Sequence, residues 1–230
     1  LEPNEPFYFF VPRDESNRTT YEQGVCINDI FPLNTSGIVS MGDPFAIADT
    51  KEELLYRLEH LLDTDYTAKG LTAEYNLGKN YADFILNSKK SLHIDTSSIV
   101  RYNYRPFDIR YTYFDNKVLW RPREKVMRHF IIGDNVGIVV GRQCVSDWRY
   151  AFITNKICEF NLTGTAGRFG SGYAFPLYTY HDEHGTLTRQ PNLDMEIVAK
   201  FAGKAGLVFE AEKSGNEAMF APIDLLDYIY

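Results

Sequence analysis

The stretch that most restricts the fold is Ile99 to Phe114, IVRYNYRPFDIRYTYF. Its aromatic and β-branched residues recur at period two, the pattern of a half-buried strand. Pro106 cannot donate to a central ladder, so the run must turn there. The stretch therefore reads as a strand, a tight turn and a second strand.

The rest of the chain supplies elements to pack around it. Phe7 to Val11 reads as a short buried strand, residues 13–20 as loop, and Val25 to Phe31 and Gly37 to Met41 as extended pieces. Thr50-Lys-Glu-Glu53 is a capping box, followed by an apolar stripe of Leu54, Leu55, Leu58, Leu61 and Leu62 at helical spacing. A second helix is expected over about Ala68 to Asn87, with Gly78 marking a break. Pro122 stands at a first helical position, with Val126, Met127 and Phe130 inward and Arg123, Lys125 and Arg128 outward. Val136 to Val140 and Tyr150 to Thr154 read as strands. Tyr173 to Tyr180 reads as an edge or bulged strand because Pro176 interrupts it. His181 to Thr188 is a hairpin turn, Asn192 caps a helix carrying Leu193, Ile197, Val198 and Phe201, and Pro222 to Tyr230 begins another helix. These elements make a mixed α+β fold: a mostly antiparallel sheet with flanking helices. It is one domain over residues 1–230, or one domain with a small helical subdomain, with residues 50–92 helical and residues 99–180 a sheet-rich basic core.

Charge is unevenly spread. The formal net charge is −7, yet residues 101–170 carry 12 basic and 6 acidic side chains, while residues 1–63 carry 4 and 12. Such asymmetry steers a polyanion to one face of an acidic body. Cys26, Cys144 and Cys158 are odd in number and lack CxxC spacing, which argues against a disulfide framework or zinc ribbon and for a reducing cytoplasm. No apolar run is long enough to span a membrane. The chain opens at Leu1 and its last helix stops in mid-turn, as expected of a piece of a longer polypeptide.

Catalytic signatures mostly fall away. The loop GTAGRFGSG, Gly164 to Gly172, lacks the GK[ST] of a phosphate loop, and His181 with His184 finds no second ligand cluster for zinc. Asp108, Asp115 and Lys117 imitate the two acids and lysine of a metal-dependent nuclease, an alternative the sequence leaves open beside a module that docks a neighbouring domain without touching DNA. The basic and aromatic interleaving from Arg101 to Arg149 is the stronger signal. Arg dominates Lys there, as suits bidentate contact with phosphates and guanine edges, and Gln143 has the amide that reads adenine.

Tyr104-Arg-Pro-Phe-Asp-Ile-Arg110 followed by Tyr113-Phe114 resembles the YRPFDxR…YY motif of target-recognition domains in fused restriction–modification enzymes, above all the C-terminal specificity domain of single-polypeptide type I (type ISP) enzymes. Glu5 to Pro12, Ile30-Phe31 through Ser36-Gly-Ile38, Arg121-Pro-Arg-Glu-Lys-Val-Met127, Gly141-Arg-Gln143, Phe175-Pro-Leu-Tyr178 and Asp227-Tyr-Ile-Tyr230 agree as well. The resemblance implies a parent enzyme with nuclease, ATP-dependent translocase and adenine-N6 methyltransferase parts, using S-adenosylmethionine, ATP and Mg²⁺. This chain has neither the NPPY-type loop nor a translocase motif and is expected to hold no cofactor and no catalytic set. Its implied partners are double-stranded DNA and the methyltransferase and translocase domains. A motif shared by relatives that read different sequences cannot encode the sequence. Arg101, Arg105, Asp108, Arg110, Arg121, Arg123 and Lys125 are therefore assigned to architecture or phosphate contact, and Arg142, Gln143, Arg149, Asn161 and Arg168 to base reading.

Overall fold

The computed structural model describes residues 16–141, 151–164 and 172–230. Helices α1 (Arg18–Glu22) and α2 (Ile27–Ile30) lead to strand β1 (Thr35–Ser36), helix α3 (Asp43–Ala46) and strand β2 (Ile47–Ala48). Helices α4 (Lys51–Asp63), α5 (Ala68–Tyr75) and α6 (Lys79–Lys89) come next, then the hairpin β3 (Ile99–Arg105) and β4 (Asp108–Tyr113). After α7 (Glu124–Met127) come β5 (Gly137–Gly141), β6 (Ala151–Thr154), β7 (Ile157–Cys158) and β8 (Gly172–Pro176). The chain closes with β9 (Tyr178–Glu183), β10 (Thr186–Pro191), α8 (Met195–Ala205), β11 (Val208–Phe209), β12 (Met219–Phe220) and α9 (Pro222–Ile229).

Two four-stranded sheets organise these elements, in the orders β2-β4-β3-β7 and β1-β8-β5-β6. Both are antiparallel except where β7 runs parallel to β3. The first sheet packs against α4 to α6 through Leu54, Leu58, Leu61, Leu71, Tyr81 and Ile85. Thr50 accepts from the Glu53 amide, so the expected cap is present. The break between α5 and α6 is also present: Asn76 turns left-handed at the end of α5, and Gly78 caps α6. Residues 50–92 share one apolar cluster with the hairpin sheet.

The second sheet lies between two cores. Along β5, Ile138 joins the cluster of Phe31, Leu177, Val198 and Leu226, whereas Val139 joins the cluster of the first sheet. Their ladder partners divide the same way, Phe175 with Ile138 and Ala174 with Val139. Successive residues of a strand face opposite sides, so one strand contributes to both interiors.

Several expectations change. Residues 18–22 form an exposed helix, and residues 27–30 are a helical turn rather than a strand. The Pro122 helix starts two residues later than expected, at Glu124, because Arg123 takes a left-handed φ of 55°. Strand β8 is internal, between β1 and β5, and Pro176 is its last residue rather than a break within an edge strand. Asp194, not Asn192, caps α8, accepting from the Glu196 and Ile197 amides. Asn192 is buried instead and ties distant segments, donating to the carbonyls of Leu33 and Pro176 at 2.7 and 2.8 Å. Cys158 is buried in the core, whereas Cys26 is exposed. The proposed strand at Phe7 to Val11 lies outside the described residues, as does Cys144. Among the described residues no helix is long and apolar enough to cross a membrane.

Candidate nucleic-acid interface

The hairpin β3–β4 is held by polar bonds near its turn. Tyr104 donates its hydroxyl to Asp43 at 2.7 Å, and Asp43 also accepts from Ser40. Burial, then the Asp43 hydrogen bond, pushes the Tyr104 phenol up to about 12. Arg105 forms an ion pair of 2.9 Å with Glu159, donates to its neighbour's carbonyl, and lies 4.0 Å over the Tyr104 ring. Glu159 is almost wholly enclosed and accepts from the Asn161 backbone and side-chain amides. Burial pushes its carboxyl up to about 7, against the pull of the Asn161 amide and of Arg105. Arg110 holds both oxygens of Asp108, at 3.0 and 3.1 Å, stands 3.5 Å from Asp49, and covers the Tyr104 ring at 4.6 Å.

The seven residues assigned to architecture or phosphate contact therefore divide. Arg105 is paired with Glu159, and Asp108 with Arg110, within the fold. Among the described residues, no ion pair involves Arg101, Arg121, Arg123 or Lys125. Arg101 and Lys156 instead lie close enough for like-charge repulsion. After burial, Arg101 is the next cause holding the Lys156 ammonium below its ordinary range. The Arg123 Nε is buried without a hydrogen-bond partner, on a backbone in the left-handed region.

Paired backbone joins these cations. Strand β3 lies beside β7, the following Glu159 bridges Ile38, and Val39 bridges Arg121. Gly37 makes this path possible: a β-carbon there would sit 2.4 Å from the Glu159 carbonyl group. Lys156 escaped the sequence reading because nothing in its local pattern shows that β7 lies next to Arg101.

Asn161 was expected to read a base edge. Its amide nitrogen is engaged by Glu159, while its Oδ1 is buried and unpartnered. Arg142, Gln143, Arg149 and Arg168 lie outside the described residues. The nuclease constellation does not assemble. Asp108 and Asp115 stand at opposite ends of β4, a strand of six residues rising roughly 3.3 Å each. Asp115 accepts from the Lys117 amide, and the Lys117 ammonium donates to the Ser91 carbonyl.

Among the described residues, the frame thus carries cations without ion-pair partners on joined strands, a surface able to meet a polyanion. The chain belongs to the family of type ISP C-terminal specificity domains, which it matches over residues 29–230. That family is part of type ISP restriction–modification enzymes.

Solved structures share the fold. A DrdV–DNA complex superposes with a TM-score of 0.63 at 19% identity, covering 87% of this chain and 19% of that one. LlaBIII, an ATP-dependent type ISP restriction-modification enzyme bound to DNA, gives 0.63 at 16% identity, covering 87% and 14%. A nuclease-deletion mutant of the type ISP enzyme LlaGI, in complex with a DNA substrate mimic, gives 0.54 at 16%, covering 74% and 17%. This chain thus spans less than a fifth of each. No curated protein shows a significant sequence match.

Proposed function

We propose that this chain reads a short duplex DNA sequence as the specificity part of a restriction–modification polypeptide. The observation that carries the reading is the division of its cations. Arg101, Arg121, Arg123, Lys125 and Lys156 lack ion-pair partners among the described residues, while Arg105 and Arg110 are neutralised inside the fold. An unpaired surface cation can displace counterions from a phosphate, whereas a paired one must first give up its carboxylate. Family membership and the DNA present in the DrdV, LlaGI and LlaBIII structures support the same reading.

In this proposal the free cations set register on the backbone, and base reading falls to Arg142, Gln143, Arg149 and Arg168, while Asn161, held by Glu159, serves the frame. Adenine-N6 methylation, ATP-dependent translocation and cleavage belong to other parts of the polypeptide, together with S-adenosylmethionine, ATP and Mg²⁺. This chain docks the methyltransferase and translocase domains and works in the cytoplasm.

The test is the salt dependence of duplex affinity. Wild type gives a steep linear fall of log affinity with log salt, and Arg101→Ala lowers the slope by about 0.9 while weakening all sequences alike. Arg105→Ala leaves the slope unchanged but lowers the melting temperature, because it strands the Glu159 carboxylate. A flat wild-type response overturns the reading.

A further inference from the structure

The tip of the β3–β4 hairpin carries a side chain that neither the frame nor the phosphate contacts use. Phe107 is the second central residue of the Arg105–Asp108 turn; it is wholly exposed, at 101%, and its φ is +65°. Pro106 before it cannot adopt a positive φ, so the turn follows the type II pattern, whose second central position favours Gly. A bulky residue there is strained, and a ring left in water forgoes burial. Among the described residues nothing covers the ring to offset either cost.

The tip is stiff. Tyr104 is tied to Asp43, Arg105 to Glu159 and Arg110 to Asp108, with both guanidinium groups over the Tyr104 ring. Those same pairings leave the tip with no free cation, so it is not a phosphate grip. It is also a poor core for a protein interface. Charged Arg105 and Asp108 flank the apolar pair Pro106-Phe107, and on the hairpin beyond them, among the described residues, Ile109 adds apolar surface at 42% exposure. The strand leading to the tip does carry Arg101, close to Lys156 and without an ion-pair partner among the described residues. A polyanion lying along β3 therefore meets a single rigid ring at its end.

We propose that Phe107 is a wedge that enters a base step of the bound duplex. It would unstack and bend the duplex at that step, a deformation that relatives reading different sequences can share, while phosphate contacts are made elsewhere on the domain. The inference rests on the DNA-recognition reading above.

The experiment uses the 230-residue chain and the duplex it enriches from a randomised pool, with 2-aminopurine placed at successive positions. Wild type and Phe107→Trp change the fluorescence at one step. Phe107→Gly abolishes that change and binds roughly 5- to 150-fold more weakly, the range expected for loss of one stacked base. Its salt slope stays that of wild type because the ring carries no charge. Its melting temperature is unchanged or higher, since Gly accepts the left-handed backbone freely, and this separates lost contact from lost fold. Wild-type affinity in the Gly variant, or no position-specific fluorescence change in wild type, overturns the wedge but leaves DNA recognition standing. Retained DNA affinity with lost binding to a methyltransferase part would assign Phe107 to a protein interface instead. If wild type enriches no sequence, the DNA reading falls and the wedge falls with it.

Discussion

Arg101 and Arg105 sit four residues apart on one strand and have opposite fates. Arg105 is absorbed by Glu159, whereas Arg101 has Lys156 for a neighbour and, among the described residues, no carboxylate partner. The controlling residue is Glu159, whose burial raises its carboxyl from an ordinary 4.5 to about 7. A raised folded-state value means the stabilising contribution is complete below the unfolded value and is lost as pH rises through the folded one. The stability of wild type relative to Glu159→Gln should therefore fall between pH 4.5 and about 7, by up to about 3 kcal/mol. Urea midpoints at several pH values measure this, and parallel curves for the two proteins would refute it. His129 titrates in an overlapping range, its imidazole lowered to about 4 by burial, but it is common to both proteins and cancels.

At the scale of elements, the hairpin was legible and its surroundings were not. Strong alternation and Pro106 were enough to place β3, the turn and β4. Arginines at fixed spacing cannot show which of them will meet a carboxylate, because Glu159 is 54 residues from Arg105 in sequence. The short elements misread as loop or strand, α1 and α2, have few buried residues and so little periodic signal. The segment beside β7 depends on close backbone approach at Gly37. Gly37→Ala should cost about 1–3 kcal/mol by overpacking against the Glu159 backbone. It should also disturb the Arg105–Glu159 pair, since Ile38 bridges Glu159. Thermal melting with arginine side-chain NMR would register both effects; unchanged Arg105 resonances would show the bridge to be dispensable.

For the whole molecule, the sheet β1-β8-β5-β6 links two interiors through alternate residues of one strand. Damage to either face should be felt on both sides. Ile138→Ala removes apolar bulk from one core at about 2–5 kcal/mol. It should accelerate amide exchange at Val198 in that core and at Leu58 in the other by similar factors. Acceleration confined to Val198 would mean the cores open separately.

The net charge of −7 conceals this layout, since the acidic excess lies in the flanking segments. The sequence by itself determined the α+β class, the principal helices and strands, the basic segment and the specificity-domain family, because periodicity, capping and short motifs are local properties of the chain. Only the tertiary structure decided which arginines remain free, that Lys156 joins Arg101, that Asp108 and Asp115 stand apart, and that Phe107 projects alone. Those outcomes depend on which distant strands become neighbours, and a buried carboxylate neutralises whatever cation the fold brings within about 3 Å of it.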